Sequence, residues 1–181
     1  MASGIKDLVP VRVGTFWGGP VAPLDKEIVD YLVAAMKAAD TESTFMENKP
    51  TKMATQWEEP DRIMRFMVDR GFGGIVFVKD GSIVGRVIGQ EHGDAFHIFD
   101  IHVENEENRG KGVGTQMVSE VAYQLVPTGI TWVRVSGGGH PASVKIRTRL
   151  LADRKNLPFL ADKMPRGCAD EAGWLKIKKP K

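Results

Sequence analysis

The sequence predicts an α/β (α+β) domain with a mixed, mostly antiparallel twisted sheet and helices on both of its faces. Three observations lead to this prediction. Strand-like and helix-like segments are interleaved along the chain, two of the strands are joined by an Asp-Gly turn, and the length of 181 residues suits one core. We therefore expect residues 1–181 to form a single domain that ends in a basic tail at about residues 174–181.

The first part of the chain contains one strand and two helices. Residues 8–17 have the β-branched alternation of a strand, and residues 24–40 carry apolar side chains at helical spacing. Residues 40–59 are polar with isolated apolar side chains, which suggests either a substrate-side flap or a partly helical segment. A second helix is expected over residues 60–71, where a proline begins it and a glycine ends it.

The middle of the chain predicts a hairpin, a strand and a helix. Residues 73–89 read as two strands joined at Asp80-Gly81, because this pair tolerates the positive φ angles of a tight turn. Another strand is expected at residues 95–103, followed by a glycine-rich loop. The amphipathic helix at residues 112–126 should bury Met117, Val118, Val121 and Leu125.

Three further elements complete the predicted sheet. Residues 130–136 resemble a buried strand, residues 141–155 a basic amphipathic helix, and residues 173–179 a last strand. The element order therefore places helices between strands throughout.

The composition indicates a soluble protein of the cytoplasm. No apolar run of about 18 residues could cross a membrane, and the first residues lack the layout of a secretion signal. The single cysteine, Cys168, excludes an internal disulfide and offers no metal-ligand spacing. We expect a cytoplasmic protein with no metal and no membrane contact.

Charge is unevenly distributed although the net charge is only +2. Residues 91–107 contain six acidic residues and no basic one, whereas residues 140–166 contain seven Lys or Arg. Four further lysines lie in the tail. A basic C-terminal region suits a nucleic acid, and solvated helix faces explain it equally well.

The loop ENRGKGVGTQM, residues 107–117, precedes the predicted helix. It does not match a Walker loop, because Lys111 is followed by Gly112 and position 105 is Asn, and it does not match a dinucleotide fingerprint, because Thr115 or Met117 stands where the third glycine is required. A glycine turn before a helix nevertheless allows phosphate to approach the unpaired helix-terminal amides. Arg109 and Lys111 could add charge-assisted hydrogen bonds.

The spacing from Arg109 to Gly114 is similar to the Arg/Gln-x-x-Gly-x-Gly/Ala signature of the GNAT superfamily of acyl-CoA N-acyltransferases. The segments IVFVKDGSIVGRVIG and FDIHVENEENRGKGVG resemble the family's second to fourth strands and its pyrophosphate loop. The resemblance covers residues 72–136 well and the rest by element order. It implies a GNAT-like fold and transfer of an acetyl or other acyl group from acetyl-CoA (coenzyme A) to an amine acceptor, directly in a ternary complex.

The resemblance also implies which residues contact the cofactor. The loop and helix start would bind the pyrophosphate, the strand backbone would follow the pantetheine arm, and a serine of the later helix could bond to it. These residues are Arg109, Gly110, Lys111, Gly112, Val113, Gly114 and Thr115 for the loop, Ile101, His102 and Val103 for the strand, and Ser143.

Two departures from the family pattern bear on the chemistry. Five residues separate Val103 from Arg109, one more than is common, so we expect a bulged start of the loop. Where the family often has an asparagine and a general-acid tyrosine, this chain has His140 and Arg147. Cys168, His140 or water could instead protonate the departing thiolate.

Asp100 and His102 are the predicted catalytic residues, because acylation of an amine needs a proton acceptor. Strict alternation puts them on one face of their strand and His97 with Phe99 on the other. Asp100 also matches the position of a substrate-side acidic residue in some polyamine-type members of the family. Alternatively, Asp100 is only hydrogen-bonded and the histidines are packing residues.

The sequence is compatible with several acceptors and more than one activity. An amine-bearing small molecule or protein is expected, and a second copy of the chain is a further partner to consider. The alternatives are a GNAT-fold enzyme that modifies a nucleobase or an aminoacyl-tRNA, and a non-catalytic module that binds coenzyme A.

Overall fold

A computed structural model describes residues 5–14, 25–41, 72–135, 141–152 and 174–177. These residues form six strands and three helices. In chain order they are β1 (Val9–Val13), α1 (Lys26–Thr41), β2 (Phe72–Lys79), β3 (Ser82–His92), β4 (Ala95–Val103), α2 (Val113–Leu125), β5 (Trp132–Val135), α3 (Pro141–Ala152) and β6 (Trp174–Lys176).

The predicted elements and these bounds agree closely where both exist. The first strand is shorter than expected, since β1 ends at Val13. The predicted flap at residues 40–59 and the helix at residues 60–71 lie outside the described residues.

The six strands form one sheet in the order β1-β2-β3-β4-β5-β6. All neighbouring pairs are antiparallel except β4 and β5, which run parallel. The predicted mixed, mostly antiparallel sheet is therefore confirmed.

The turn between β2 and β3 has the predicted chemistry. Asp80 has φ 50° and Gly81 has φ 75°, so both central residues are left-handed, as a tight two-residue hairpin requires. The Asp-Gly pair fixes the register of this hairpin.

Helix α2 covers one face of the sheet and forms the main core with it. Its predicted inner residues Met117, Val118, Val121 and Leu125 are fully buried. They pack in one cluster with side chains of β2 to β6, and Leu150 joins that cluster from α3. Because Met117 lies against Gly85, the pleat puts Arg86 on the opposite face.

Helix α1 contacts this opposite face. The hydroxyl of Tyr31 accepts a hydrogen bond from Arg86 on β3 at 3.0 Å and donates one to Glu104 at 2.7 Å. Helices thus lie on both faces of the sheet, as predicted. On the same face as α1, the ends of β4, β5 and β6 form a small apolar cluster of Ala95, Trp132 and Trp174.

Strand β4 contains a β-bulge at Phe99 that corrects one prediction. Gly89 of β3 pairs with Ile98, and the next residue, Ile88, pairs with Asp100, so Phe99 has no partner of its own. The extra residue reverses the side on which the following side chains lie. His97 therefore shares a face with Asp100 and His102 instead of lying opposite them.

Strands β4 and β5 pair over only four residues. The register runs from Ala95 opposite Trp132 to Ile98 opposite Val135. β5 then ends while β4 continues to Val103. Among the described residues, none of β5 pairs with β4 beyond Ile98, so the last residues of β4 form an edge on this side.

Candidate active site

The loop after β4 presents unpaired amides at the start of α2. Gly112 is the N-cap residue, with φ 83° and no side-chain cap, and the first helical bond runs from the Gln116 N–H to its carbonyl. The N–H groups of Val113, Gly114 and Thr115 therefore have no partner within the helix. Together with the helix dipole they favour an anion at this end.

The extra residue before the loop is taken up by a short 3₁₀ turn. Glu106–Asn108 form this turn, and Asn105 before it has φ 31°. Arg109 then returns to the end of β4, where its Nε donates to the Val103 carbonyl at 3.3 Å. The expected irregular start of the loop is observed, and it holds Arg109 beside the strand.

A cleft of about 260 Å³ lies between this loop, the edge of β4 and helix α3. It is lined by Ile101, His102, Val103, Asn108, Arg109, Gly110, Gly112, Val113, Gly114, Thr115, Ala142, Lys145, Ile146 and Arg149. Nearly all residues expected at the cofactor thus converge on one cavity.

Two expected cofactor residues do not line the cleft. Lys111 is exposed on the loop, and Ser143 lies partly buried in the first turn of α3. Their roles remain predictions.

Helix α3 contributes cleft residues that sequence reasoning missed. Lys145, Ile146 and Arg149 line the cavity. A Cβ on Gly114 would lie 3.0 Å from the Cδ1 atom of Ile146, which shows how closely α2 and α3 approach. The i,i+4 spacing of the two cations was visible in the sequence, but this packing was not.

The cleft fits a pyrophosphate on three structural grounds. The N–H groups at the start of α2 face it without partners, and the Thr115 hydroxyl is buried with no hydrogen-bond partner among the described residues. Arg109 supplies a cation, and an anion would satisfy all of these groups at once.

On the opposite face of the sheet, Asp100 is held by an ion pair. Arg86 Nε lies 2.5 Å from Asp100 Oδ2, and the two side chains are 14% and 22% exposed. Burial alone would lower the pKa of Arg86, but the neighbouring Asp100 carboxylate and Tyr31 raise it above its ordinary value. Asp100 is not among the residues that line the cleft, and its charge is neutralised by Arg86.

Tyr31 and His102 both contact the Glu104 carboxylate. His102 Nε2 lies 3.3 Å from Glu104 Oε1, the oxygen that accepts the Tyr31 hydrogen bond. Burial raises the pKa of Tyr31, opposed by the Arg86 charge and assisted by the hydrogen bond to Glu104. Tyr31 therefore stays protonated and fixes Glu104 beside His102, whose side chain is 37% exposed.

His97 lies in an aromatic environment on the same face. Its ring is 5.2 Å from Trp174 and 4.9 Å from His92, measured between centroids. Burial lowers its pKa to about 4, with further lowering from the charges of His92 and Arg134. His97 is therefore neutral near pH 7 and acts as a packing residue.

Two candidates for protonating the leaving thiolate, His140 and Cys168, are outside the described residues. Tyr123 is half-exposed on α2 and does not line the cleft.

Among the helices that the structure describes, none combines the length and the apolar character that a membrane span requires.

The chain is similar to known proteins in sequence and in structure. The family model described as "Acetyltransferase (GNAT) family" matches residues 27–143. No curated protein sequence gives a significant match.

Solved structures of acetyltransferases share the fold. The spermidine/spermine N-acetyltransferase SpeG from Vibrio cholerae has a TM-score of 0.55 at 11% identity, covering 94% of this chain and 92% of its own. An N-acetyltransferase from Staphylococcus aureus Mu50 has a TM-score of 0.52 at 15% identity, covering 95% of both chains. The PaiA N-acetyltransferase from Thermoplasma acidophilum, solved with coenzyme A, has a TM-score of 0.48 at 11% identity, covering 96% and 99%.

Proposed function

Since the chain belongs to the GNAT family of acetyltransferases, we propose that it transfers an acetyl or other acyl group from acyl-CoA to an amine acceptor, directly in a ternary complex. The observation that carries this proposal is the cleft at the start of α2. Unpaired amides, the Thr115 hydroxyl and Arg109 surround a cavity there that suits a pyrophosphate.

The donor would lie along the edge of β4. Arg109 and the amides of Val113, Gly114 and Thr115 would hold the pyrophosphate. The backbone of Ile101–Val103 would then guide the pantetheine arm toward the opening between β4 and β5. Bound in this way, acyl-CoA supplies a thioester carbonyl carbon that an amine can attack.

The acceptor would approach from the face that carries His102. A neutral amine forms the new C–N bond while the C–S bond breaks, and the nitrogen must lose a proton. We assign His102 as the group that accepts it, because its imidazole is accessible and Glu104 lies 3.3 Å from its Nε2. Water can protonate the departing thiolate.

Asp100 has a positioning role in this proposal. Its carboxylate holds Arg86, which in turn donates to Tyr31, and Tyr31 orients Glu104. The chain of contacts connects the sequence-predicted carboxylate to His102 without placing it at the reacting atoms.

Two measurements test the proposed activity. Titration calorimetry with acetyl-CoA and with coenzyme A should detect saturable binding. Release of thiol from acetyl-CoA should then rise when pooled amines are added. If neither compound binds, the proposal is rejected. Binding without amine-dependent thiol release would support a non-catalytic coenzyme A module.

A nucleic-acid acceptor is the second candidate, and it rests on the basic C-terminal region. Lys145 and Arg149 of that region line the cleft, so their charge can serve the cofactor instead of a nucleic acid. Strongly salt-dependent binding of tRNA or DNA would favour this candidate.

The proposal keeps a cytoplasmic location, which suits the single cysteine.

A further inference from the structure

Cationic side chains lie on two walls of the cleft, and a pyrophosphate would account for the cation on only one of them. Arg109 lies on the loop beside the unpaired amides. Lys145 and Arg149 lie on α3, one helical turn apart, on the face that lines the cavity. Two phosphates bridged by oxygen are already matched by the loop and the start of α2.

Lys145 and Arg149 lack an anionic partner within the described part of the chain. Neither makes an ion pair or hydrogen bond there, and α3 contains no acidic residue. None of the described residues that line the cleft is acidic. Like charges four residues apart on a helix repel each other, and an anion bound between Lys145 and Arg149 would relieve this repulsion.

The packing of α3 on α2 fixes where that anion would be. Ile146, which follows Lys145, is in contact range of Gly114 in the first turn of α2. The two cations therefore lie on the wall of the cleft that α3 forms, beside the start of α2. A ligand whose pyrophosphate occupied the loop would meet them with a second anionic group.

Resting on the proposed function, we infer that Lys145 and Arg149 form a subsite for the 3′-phosphate on the ribose of coenzyme A. This phosphomonoester is the anionic group of the cofactor that the pyrophosphate loop leaves unmatched. A guanidinium with a nearby ammonium suits a phosphate dianion. The subsite makes the enzyme selective for coenzyme A thioesters over their 3′-dephospho forms.

Paired ligands test this inference. Calorimetry with coenzyme A and with 3′-dephospho-coenzyme A should show that the wild type binds the first at least about tenfold more tightly. Lys145→Gln and Arg149→Gln should each lower the affinity for coenzyme A by about tenfold. Their affinity for the dephospho form should stay within about twofold of the wild type, which also shows that the variants are folded.

Two control variants complete the experiment. Lys6→Gln removes an exposed charge at a position that does not line the cleft, and it should leave both affinities unchanged. Arg109→Gln should weaken both ligands alike, because both contain the pyrophosphate. Equal weakening of both ligands by the α3 variants, or no weakening of either, would overturn the subsite. If the wild type binds neither ligand, the proposed function fails with it.

Discussion

At Gly112 the backbone conformation and the cleft both favour a residue without a side chain. It has φ 83°, in the left-handed region that favours glycine, and it lines the cavity at the start of α2. Gly129 has the same φ, does not line the cleft, and would leave a Cβ in open space. The two positions therefore share the same backbone strain and differ in their relation to the ligand.

Gly112→Ala should lower coenzyme A affinity by about tenfold or more, because its Cβ would occupy space that a phosphate oxygen needs. Gly129→Ala is the matched control and should bind as the wild type does. Both should lose about 1 kcal/mol of unfolding free energy from left-handed strain. Calorimetry and urea denaturation measure the two effects, and equal affinities of the two variants would contradict a ligand at Gly112.

His102→Gln should lower kcat by about a hundredfold, since an imidazole that accepts a proton contributes about that factor. Coenzyme A affinity should change little. Steady-state kinetics and calorimetry measure the two effects, and a variant with the wild-type kcat would exclude His102 as the proton acceptor.

Asp100→Asn should lower turnover much more than cofactor affinity. The mechanism differs from that of His102, because the lost charge weakens the hold on Arg86. Unchanged turnover would remove Asp100 from both the catalytic and the positioning roles.

At the level of elements, the Tyr31 hydroxyl connects helix α1 to the sheet. Tyr31 lies between Arg86 and Glu104, and its ring also lies under the Arg86 guanidinium at 5.3 Å. Each of these contacts joins a residue of α1 to the β3–β4 pair. The helix thus sets the position of the carboxylate that faces His102.

Tyr31→Phe should destabilise the protein by about 1–2 kcal/mol, because it leaves a partly buried guanidinium and a carboxylate each without one hydrogen bond. Turnover should fall as Glu104 loses its orientation, while coenzyme A affinity stays constant. Denaturation and kinetics check these outcomes. A variant as stable and active as the wild type would show that the hydroxyl is not needed.

Elements differ in how far the sequence predicts them. The β2–β3 hairpin follows from Asp80-Gly81, and the buried side of α2 follows from its apolar spacing, because both signals are local. The bulge at Phe99 was missed because strict alternation was assumed along the whole strand, although the apolar positions change phase there, from Phe96 and Ile98 to Ile101 and Val103. The cleft side of α3 depends on the contact between Gly114 and Ile146, which is tertiary and invisible to any local pattern.

At the scale of the whole molecule, several strands meet around His97. Its neighbours His92, Arg134 and Trp174 come from β3, β5 and β6. Burial and two of these residues lower the pKa of His97 to about 4, below the ordinary value of 6.5. The folded protein therefore resists protonation of His97 in a pH range where the unfolded chain accepts it.

Stability should consequently fall as the pH decreases from about 6.5 to about 4, by at most about 2 kcal/mol from this residue, because solvent reaches part of the ring and screens the charges around it. The unfolded state binds a proton in this window and the folded state does not. His97→Gln should flatten the dependence, and His92→Gln should weaken it by raising the pKa of His97. Urea denaturation at several pH values measures this, and an unchanged slope in His97→Gln would contradict it.

The whole-molecule architecture separates the proposed donor and acceptor sides. The sequence predicted the sheet class and most of the donor loop, since Arg109 to Gly114 are contiguous in the chain. The network on the other face was only partly predicted, because Tyr31, Arg86 and Glu104 are distant in sequence and meet only when the sheet folds.

The bulge at Phe99 is a place in β4 where the length of the chain and the pairing of the strand are uncoupled. Deletion of this residue would join Ile98 to Asp100 and restore regular pairing with β3, since these two residues already lie opposite Gly89 and Ile88. Asp100 and His102 would stay on the α1 side, and Ile101 and Val103 would stay packed against the main core. The loss of Phe99 should therefore be better tolerated than a charge at Ile101 or Val103, which changes no length.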